Sequence, residues 1–188
     1  MIKPVELPSG ESLRPLTEAD APALLDAYLR NRSHLAPYEP DRPDSFYTLE
    51  GQRARIAQLA RKQQDGEMLP CAMFADGRVL GCATLRGIAR GPVLEAHLGY
   101  WVDAGSTRRG LASAAVAALC KIADEELGLH RIEAGTAPAN IASQAVLKRN
   151  GFDQFGHAHQ HLYIAGRWGD AILFEKILND RPPPPVDA

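Results

Sequence analysis

The chain has 188 residues, of which 45% are hydrophobic and 23% are charged, and its formal net charge is −2. This length suits one domain that buries a core without disulfide or metal cross-links. The composition excludes a mostly disordered chain, and the lack of a basic excess argues against a nucleic-acid-binding protein.

Cysteine usage and apolar segment lengths indicate a cytoplasmic protein. Cys71, Cys82 and Cys120 are odd in number and widely spaced, without the Cys and His spacing of a zinc site. We expect them to be reduced and buried. The N-terminus lacks a signal-peptide pattern, and the longest apolar stretch, residues 111–120, is too short to cross a bilayer. We therefore expect neither secretion nor a membrane anchor.

Hydrophobic periodicity predicts one α+β domain over residues 3–178. In chain order, the first predicted elements are a strand at 7–16 with a turn at 8–10, helices at 17–31 and 48–64, and a hairpin at 68–75 and 78–86. A strand at 94–102, a helix at 110–127, a strand at 130–136 and a helix at 140–149 follow. The last two predicted strands, at 152–163 and 170–178, are joined by a turn with Gly166, Trp168 and Gly169. Residues 34–44, with three prolines, are predicted to be a loop. Residues 179–188, with four consecutive prolines, are predicted to be a flexible tail.

The segment between the strand at 94–102 and the helix at 110–127 has the features of a phosphate cradle. Small residues at 104–107 precede Arg108, Arg109 and Gly110. The first turn of a helix has unpaired N–H groups and a partial positive charge, and small residues let an anion approach them. The segment lacks the GxxxxGK[ST] and GxGxxG patterns. A phosphate site and an ordinary surface loop both fit it.

A second segment, residues 140–152, opens the next predicted helix. Asn140 stands where a side chain can cap the helix or hydrogen-bond a ligand. Ser143 lies one turn later on the same face, and Gly151-Phe152 follow the helix. A plain N-cap and an exposed serine are the alternatives.

Together, the two segments resemble the GNAT superfamily of acyl-CoA-dependent N-acyltransferases. The family's pyrophosphate loop reads [Q/R]-x-x-G-x-[G/A], and residues 110–112 supply its G-x-A, whereas Thr107 replaces Gln or Arg. Asn140, Ser143 and Gly151-Phe152 match the family's second element. The resemblance covers residues 10–178.

Within this family, the chain is most similar to the RimJ/RimL type, named for ribosomal-protein N-terminal acetyltransferases. The similarity rests on Leu98-Gly99-Tyr100-Trp101, on Ser at position 143, on residues 166–170 and on residues 31–38.

The resemblance implies a mixed, mostly antiparallel sheet flanked by helices, which opens like a V after the fourth predicted strand. It also implies acetyl-CoA as the acyl donor, with pantetheine paired to the backbone of Tyr100, Trp101 and Val102 and hydrogen-bonded by Asn140. The pyrophosphate would bind the amides of Arg108, Arg109, Gly110, Leu111, Ala112 and Ser113. No metal is expected.

Direct attack of an amine on a thioester requires a base that keeps the amine neutral. Deprotonation at pH 7 costs roughly 4–5 kcal/mol for lysine and about 1–1.4 kcal/mol for an α-amine, so an α-amine acceptor needs a weaker base. Many family members use a Glu on the fourth strand. Here Glu95 and His97 share one face of that strand. We predict His97 as the base, because imidazole titrates near neutral pH, and Glu95 as second choice. A solvated strand face is the alternative.

The family's usual acid, a Tyr seven residues after the Asn, is replaced by Leu147. Ser143 is the nearest replacement, and the RimJ/RimL resemblance points to it. A thiol of pKa about 8.5 is a good leaving group, so a hydroxyl hydrogen bond could suffice.

Two further groups of residues have open interpretations. Glu39, Asp41 and Asp44 in the proline-rich loop could receive a cationic amine, with Tyr47 nearby, or could be solvated. His157, His159 and His161 alternate along a predicted strand without an acidic neighbour in sequence, so an exposed polar face fits them better than a metal site.

The sequence thus predicts an N-acetyltransferase whose partners are acetyl-CoA and an amine acceptor, either a peptide N-terminus or a small molecule. Three alternatives stay open: another donor such as succinyl-CoA, a non-catalytic acyl-CoA sensor, and an interaction protein that uses Arg108, Arg109, Lys148 and Arg149 to hold RNA or the ribosome. A homodimer is the default expectation from base rates.

Overall fold

Eight strands form a single sheet in the computed structural model, which describes residues 2–184. The strands are β1 (Val5–Glu6), β2 (Ser12–Pro15), β3 (Met68–Ala75), β4 (Arg78–Arg86), β5 (Glu95–Val102), β6 (Arg131–Thr136), β7 (Asp153–Ile164) and β8 (Arg167–Ile177). Their spatial order is β1-β2-β3-β4-β5-β6-β8-β7. Within the described residues, the strands pair antiparallel except for β5 with β6. The predicted α+β class with a mixed, mostly antiparallel sheet is confirmed.

Helices cover both faces of this sheet. They are α1 (Ala21–Arg30), α2 (Arg32–Leu35), α3 (Leu49–Gln64), α4 (Leu111–Glu125) and α5 (Ile141–Arg149). The first three helices share a core with side chains such as Phe74 and Val79, whereas α4 and α5 pack on the other face around Phe174. Because both faces are covered, central strands such as β3 are apolar on both sides. None of the helices within residues 2–184 has the length and apolar character needed to cross a bilayer.

The sheet opens between β5 and β6. Three residue pairs join these strands, and the last of them is His97 with Glu133. On its other side β5 stays paired with β4 as far as Val102, and β6 stays paired with β8 as far as Thr136. Residues 98–102 of β5 and 134–136 of β6 therefore diverge, and we call the space between them the gap. The predicted V-shaped opening is confirmed.

Three predicted boundaries were wrong. The strand predicted at 7–16 is a hairpin of β1 and β2, because the Leu7 N–H donates to the Glu11 carbonyl around the turn. The loop predicted at 34–44 begins inside α2, and a 3-10 turn follows at Asp44–Tyr47. The turn between β7 and β8 consists of Ala165 and Gly166, so Trp168 and Gly169 belong to β8.

The start of the predicted flexible tail is held by hydrogen bonds. The Asn179 amide donates to Asp124 Oδ1 and to the Leu129 carbonyl, at 2.8 Å each, and the Arg181 guanidinium contacts Asp124. His130 Nδ1 lies 2.6 Å from the Asn179 carbonyl oxygen. These contacts anchor the first residues after β8, the flexibility of the tail as a whole stays a prediction, and residues 185–188 lie outside the described residues.

Asp103, directly after β5, joins the end of α1 to the loop that precedes α4. Its carboxylate accepts hydrogen bonds from Arg30 Nε at 2.7 Å, from the Asn31 amide at 2.8 Å and from the Gly105 N–H at 2.9 Å. The Asn31 side-chain oxygen accepts from the Ala104 N–H at 2.8 Å. Burial alone would raise the pKa of Asp103, but the bonds from Asn31 and Arg30 outweigh it and lower the pKa. We call these contacts the Asp103 junction.

We predict that Asp103→Ala lowers the free energy of unfolding by about 2–3 kcal/mol, because it leaves the buried Asn31 amide without this acceptor and also removes the bonds to Arg30 and to the Gly105 N–H. Urea denaturation measures this change. Asp26→Ala is the matched control: Asp26 also contacts Arg30 but is exposed, so the expected loss is under about 1 kcal/mol. Since the folded-state pKa of Asp103 is lowered, its contribution is present at neutral pH and is lost in acid. Equal losses in both variants would contradict the assigned role.

Candidate functional site

Neighbouring residues of β5 send their side chains to opposite faces of the sheet at the gap. Tyr100 packs against the core under α4 and α5, and Trp101 packs against the core under α1 and α3. The Trp101 ring lies 5.2 Å from the ring of Tyr28 on α1, between centroids. The gap is therefore bordered by groups from both faces.

On the face of α5, a tyrosine and a serine are hydrogen-bonded. The Tyr100 hydroxyl lies 2.9 Å from Ser143 Oγ and 3.2 Å from the Ser143 carbonyl oxygen. Burial raises the pKa of Tyr100 to about 12, so the phenol keeps its proton at neutral pH. Position 147 on α5 has no phenol, but the phenol of Tyr100 on β5 contacts the same helix at Ser143.

Asn140 caps α5, as its alternative interpretation predicted. Its side-chain oxygen accepts a hydrogen bond from the Ser143 N–H at 3.1 Å. At the other end of α5, the Asn150 amide donates to Ser113 Oγ on α4 at 3.0 Å, and Lys176 on β8 donates to the Asn150 carbonyl at 2.7 Å. These bonds hold α5 against the first turn of α4.

The predicted phosphate loop leaves β5 at Val102 and reaches α4 through a sharp turn. A 3-10 turn at Ala104–Ser106 follows Asp103, then Arg108 and Gly110 adopt φ angles of 60° and 80°. Left-handed residues in such a loop can turn backbone N–H groups to one side, as in an anion-binding nest. Arg108 and Arg109 are exposed, and Leu111 anchors the helix start in the core. An anion at the first turn of α4 would face unpaired N–H groups, with the exposed Arg108 nearby in sequence and the Arg109 guanidinium 3.7 Å from a carboxylate oxygen of Glu11.

On the other face, His97 stands where the β5–β6 pairing ends. Its side chain is 50% exposed, and its Nδ1 lies 3.7 Å from a carboxylate oxygen of Glu133. Glu95 lies on the same face but is 3.1 Å from Arg131, which also contacts Glu133 and Glu175 at 2.6 Å each. Glu95 is therefore engaged in an ion pair with Arg131, whereas His97 is half-exposed beside Glu133.

A cavity of about 260 Å³ lies beside this face. Its lining residues are Tyr28, Arg32, Leu35, Ala36, Glu39, Pro40, Asp41, Arg42 and Tyr47. Glu39, Asp41 and Tyr47, which were predicted for the acceptor side, are therefore together. Asp44 is not among the lining residues.

The three cysteines are buried, as predicted. Burial raises the pKa of Cys71 and of Cys82 to about 12 and that of Cys120 to about 11. None of these thiols supplies a thiolate nucleophile at neutral pH, so the described residues favour direct attack by the amine over a covalent cysteine intermediate.

Three features were missed from the sequence. The phenol of Tyr100 was considered only through its backbone, Glu133 emerges from the register of β6 with β5, and Asp170 lies next to His157 and His159. The histidines have no acidic neighbour in sequence, but they have one in space, because β8 returns antiparallel to β7. Each of the three contacts joins residues on different elements, so the sequence alone does not indicate which residues meet.

Comparisons with known proteins identify the family of this chain. Residues 12–153 match the acetyltransferase (GNAT) domain family. The chain is 36% identical to "Probable N-acetyltransferase YjcK" of Bacillus subtilis, over 89% of this chain and 93% of that protein. It is 30% identical to the [ribosomal protein uS5]-alanine N-acetyltransferase of Escherichia coli, over 86% and 84% of the two chains.

Solved structures share the fold. The ribosomal-protein-S5-alanine acetyltransferase of Vibrio fischeri superposes with a TM-score of 0.92 at 32% identity, covering 97% of this chain and all of that one. RimJ of Mycobacterium smegmatis, in complex with CoA-disulfide, gives a TM-score of 0.87 at 31% identity, covering 93% of this chain and 86% of that one.

The reaction that these similarities support is transfer of an acetyl group from acetyl-CoA to an amine. The alternatives of another donor or a non-catalytic module are not favoured. The chain therefore belongs to the GNAT family of acetyl-CoA-dependent N-acetyltransferases and is of the RimJ/RimL type.

Proposed function

We propose that the amine acceptor is the α-amine at the N-terminus of a protein, of the kind named for the ribosomal-protein relatives. The observation that carries this proposal is the gap, which has a half-buried hydroxyl pair on one face and His97 on the other. An α-amine is easier to deprotonate than a lysine, by roughly 3 kcal/mol at pH 7, and suits a half-exposed imidazole. Ribosomal-protein acceptors would also make the cytoplasm the site of action.

Acetyl-CoA binding uses the face of α4 and α5. The extended pantetheine arm pairs with the backbone of Tyr100, Trp101 and Val102 along the edge of β5 that faces the gap. The pyrophosphate binds the N–H groups between Arg108 and Ser113, with the two arginines adding positive charge. Asn140 uses its oxygen for the helix cap, so its amide NH2 is the group that would hold the pantetheine.

The acceptor enters from the opposite face, beside Tyr28 and Trp101. The carboxylates of Glu39 and Asp41 border the 260 Å³ cavity and attract a protonated N-terminus. Arg32 lies over the Tyr47 ring, 4.3 Å from its centroid, and shapes the cavity wall. The amine then reaches the thioester through the gap.

In the reaction, the amine nitrogen attacks the thioester carbonyl and loses a proton, and the C–S bond breaks. His97 takes the proton, directly or through water, with Glu133 positioned to stabilise the imidazolium. The departing thiolate receives a hydrogen bond from Ser143 Oγ. The Tyr100 hydroxyl lies 2.9 Å from that oxygen, and with Tyr100 as the hydrogen-bond donor the serine proton is free to point toward the sulfur.

A peptide assay tests the acceptor class. We expect peptides that begin with Ala or Ser to be acetylated on their α-amine, as measured by mass spectrometry. The control is the same peptide with a blocked N-terminus and an internal lysine, which we expect to react at least about 100-fold more slowly. Preferential acetylation of the lysine, or of a small polyamine offered in parallel, would contradict the proposed acceptor, whereas acetyl transfer itself would stand.

Substitutions at the hydroxyl pair test the acid. We expect Ser143→Ala to lower kcat at least about tenfold while the Kd for acetyl-CoA changes less than about twofold. Ser143→Thr keeps a hydroxyl and should restore most of the rate. Tyr100→Phe should give an intermediate loss, since Tyr100 acts through the serine. A full rate in Ser143→Ala would exclude this group from the mechanism.

Substitutions at the start of the gap test the base. We expect His97→Gln to lower kcat about 100-fold with unchanged acetyl-CoA binding, which is the size of a typical general-base contribution. Glu95→Gln is the comparison, because it removes the second candidate on the same face. A larger loss in Glu95→Gln, with its unfolding midpoint unchanged, would assign the base to Glu95 instead.

A further inference from the structure

Two histidines and an aspartate meet on the β7–β8 hairpin, at the edge of the sheet opposite to β1. Asp170 Oδ2 lies 3.1 Å from His157 Nε2 and 3.1 Å from His159 Nδ1. One donor atom from each of the three residues lies within 4.8 Å of the others. The acetyl-transfer mechanism uses none of these residues.

Local backbone geometry brings the three groups together. Ala158 pairs with Ala171, and the register then shifts before Leu162. Within this bulge, Gln160 has a φ of 49°, which a non-glycine residue rarely adopts. The shift breaks the alternation after His159, so His161 does not join the cluster.

The backbone also orients the carboxylate. The Gln160 N–H donates to Asp170 Oδ1 at 3.0 Å, which directs Oδ2 toward the imidazoles. A ligand held by a second hydrogen bond is typical of metal sites, since the outer contact fixes the orientation of the donor.

The donor set suits a divalent transition metal. Two imidazole nitrogens and one carboxylate oxygen are ligands that Zn²⁺ accepts. On a tetrahedral ion with bonds of about 2.0–2.1 Å, neighbouring donor atoms are about 3.3 Å apart, close to the two 3.1 Å separations. Both histidines are exposed, so rotation of their side chains can bring the two nitrogens to the same spacing. Water can take the fourth position.

We propose that His157, His159 and Asp170 form a surface site for one Zn²⁺ or a similar divalent transition-metal ion, separate from the acetyl-transfer site. Bound metal would join the bulged part of β7 to β8 and brace the outer hairpin of the sheet.

Metal titration of the full chain tests this site. Chelator-treated protein, without CoA, is titrated with Zn²⁺ by calorimetry and with Co²⁺ by visible absorption. We expect one ion per chain, with a Co²⁺ spectrum of nitrogen and oxygen ligands. His157→Ala, His159→Ala and Asp170→Asn should each weaken binding at least about tenfold.

His161→Ala is the matched control, because it removes a histidine of the same strand that lies outside the cluster. We expect it to bind Zn²⁺ as the unchanged chain does. An equal loss in His161→Ala, or unchanged binding in the His157→Ala/His159→Ala double variant, would overturn the proposed site. Absence of binding at millimolar Zn²⁺ would do the same and would leave a hydrogen-bonded polar cluster.

Discussion

Parallel pairing between β5 and β6 stops after His97 and Glu133, and the architecture of the site depends on this stop. Beyond it, one edge of β5 presents backbone N–H and C=O groups to the gap. Backbone polar groups need hydrogen-bond partners, so this edge suits an extended ligand with amide groups, which is the chemistry of pantetheine. The stop also makes a passage between the two faces of the sheet, so donor and acceptor can meet from opposite sides.

Tight contacts around the gap keep it open. On the side of α1, the Asp103 junction fixes the loop before α4 by bonds to Arg30 and Asn31. On the side of α5, Asn150 joins the end of that helix to α4. Since these contacts join α1 to a loop and α5 to α4 rather than β5 to β6, they stabilise the domain without closing the sheet. Rigid surroundings of this kind pre-organise a site for its transition state.

The sequence predicted most elements of this fold, because periodic apolar residues and Gly punctuation are local signals. It also indicated the loop at Arg108 and the serine at 143, which lie in short motifs. The side-chain contacts that the sequence could not predict depend on how elements distant in sequence pair in the fold. Tyr100 reaches Ser143 across 43 positions, and Glu133 faces His97 only because β6 pairs with β5 at that point. Likewise, the proline-rich composition of the C-terminal end does not indicate that Asn179 donates a hydrogen bond to Asp124 on α4.

Burial of the cysteine thiols affects how the enzyme responds to oxidised CoA. Every turnover releases CoA, a free thiol that air converts to its disulfide. Mixed disulfides form when a protein thiolate attacks such a disulfide, at a rate set by thiolate content and access. Cys71, Cys82 and Cys120 are buried and protonated, so they resist this exchange. Oxidised cofactor should therefore leave the chain unmodified, and catalytic turnover should not inactivate the enzyme by thiolation.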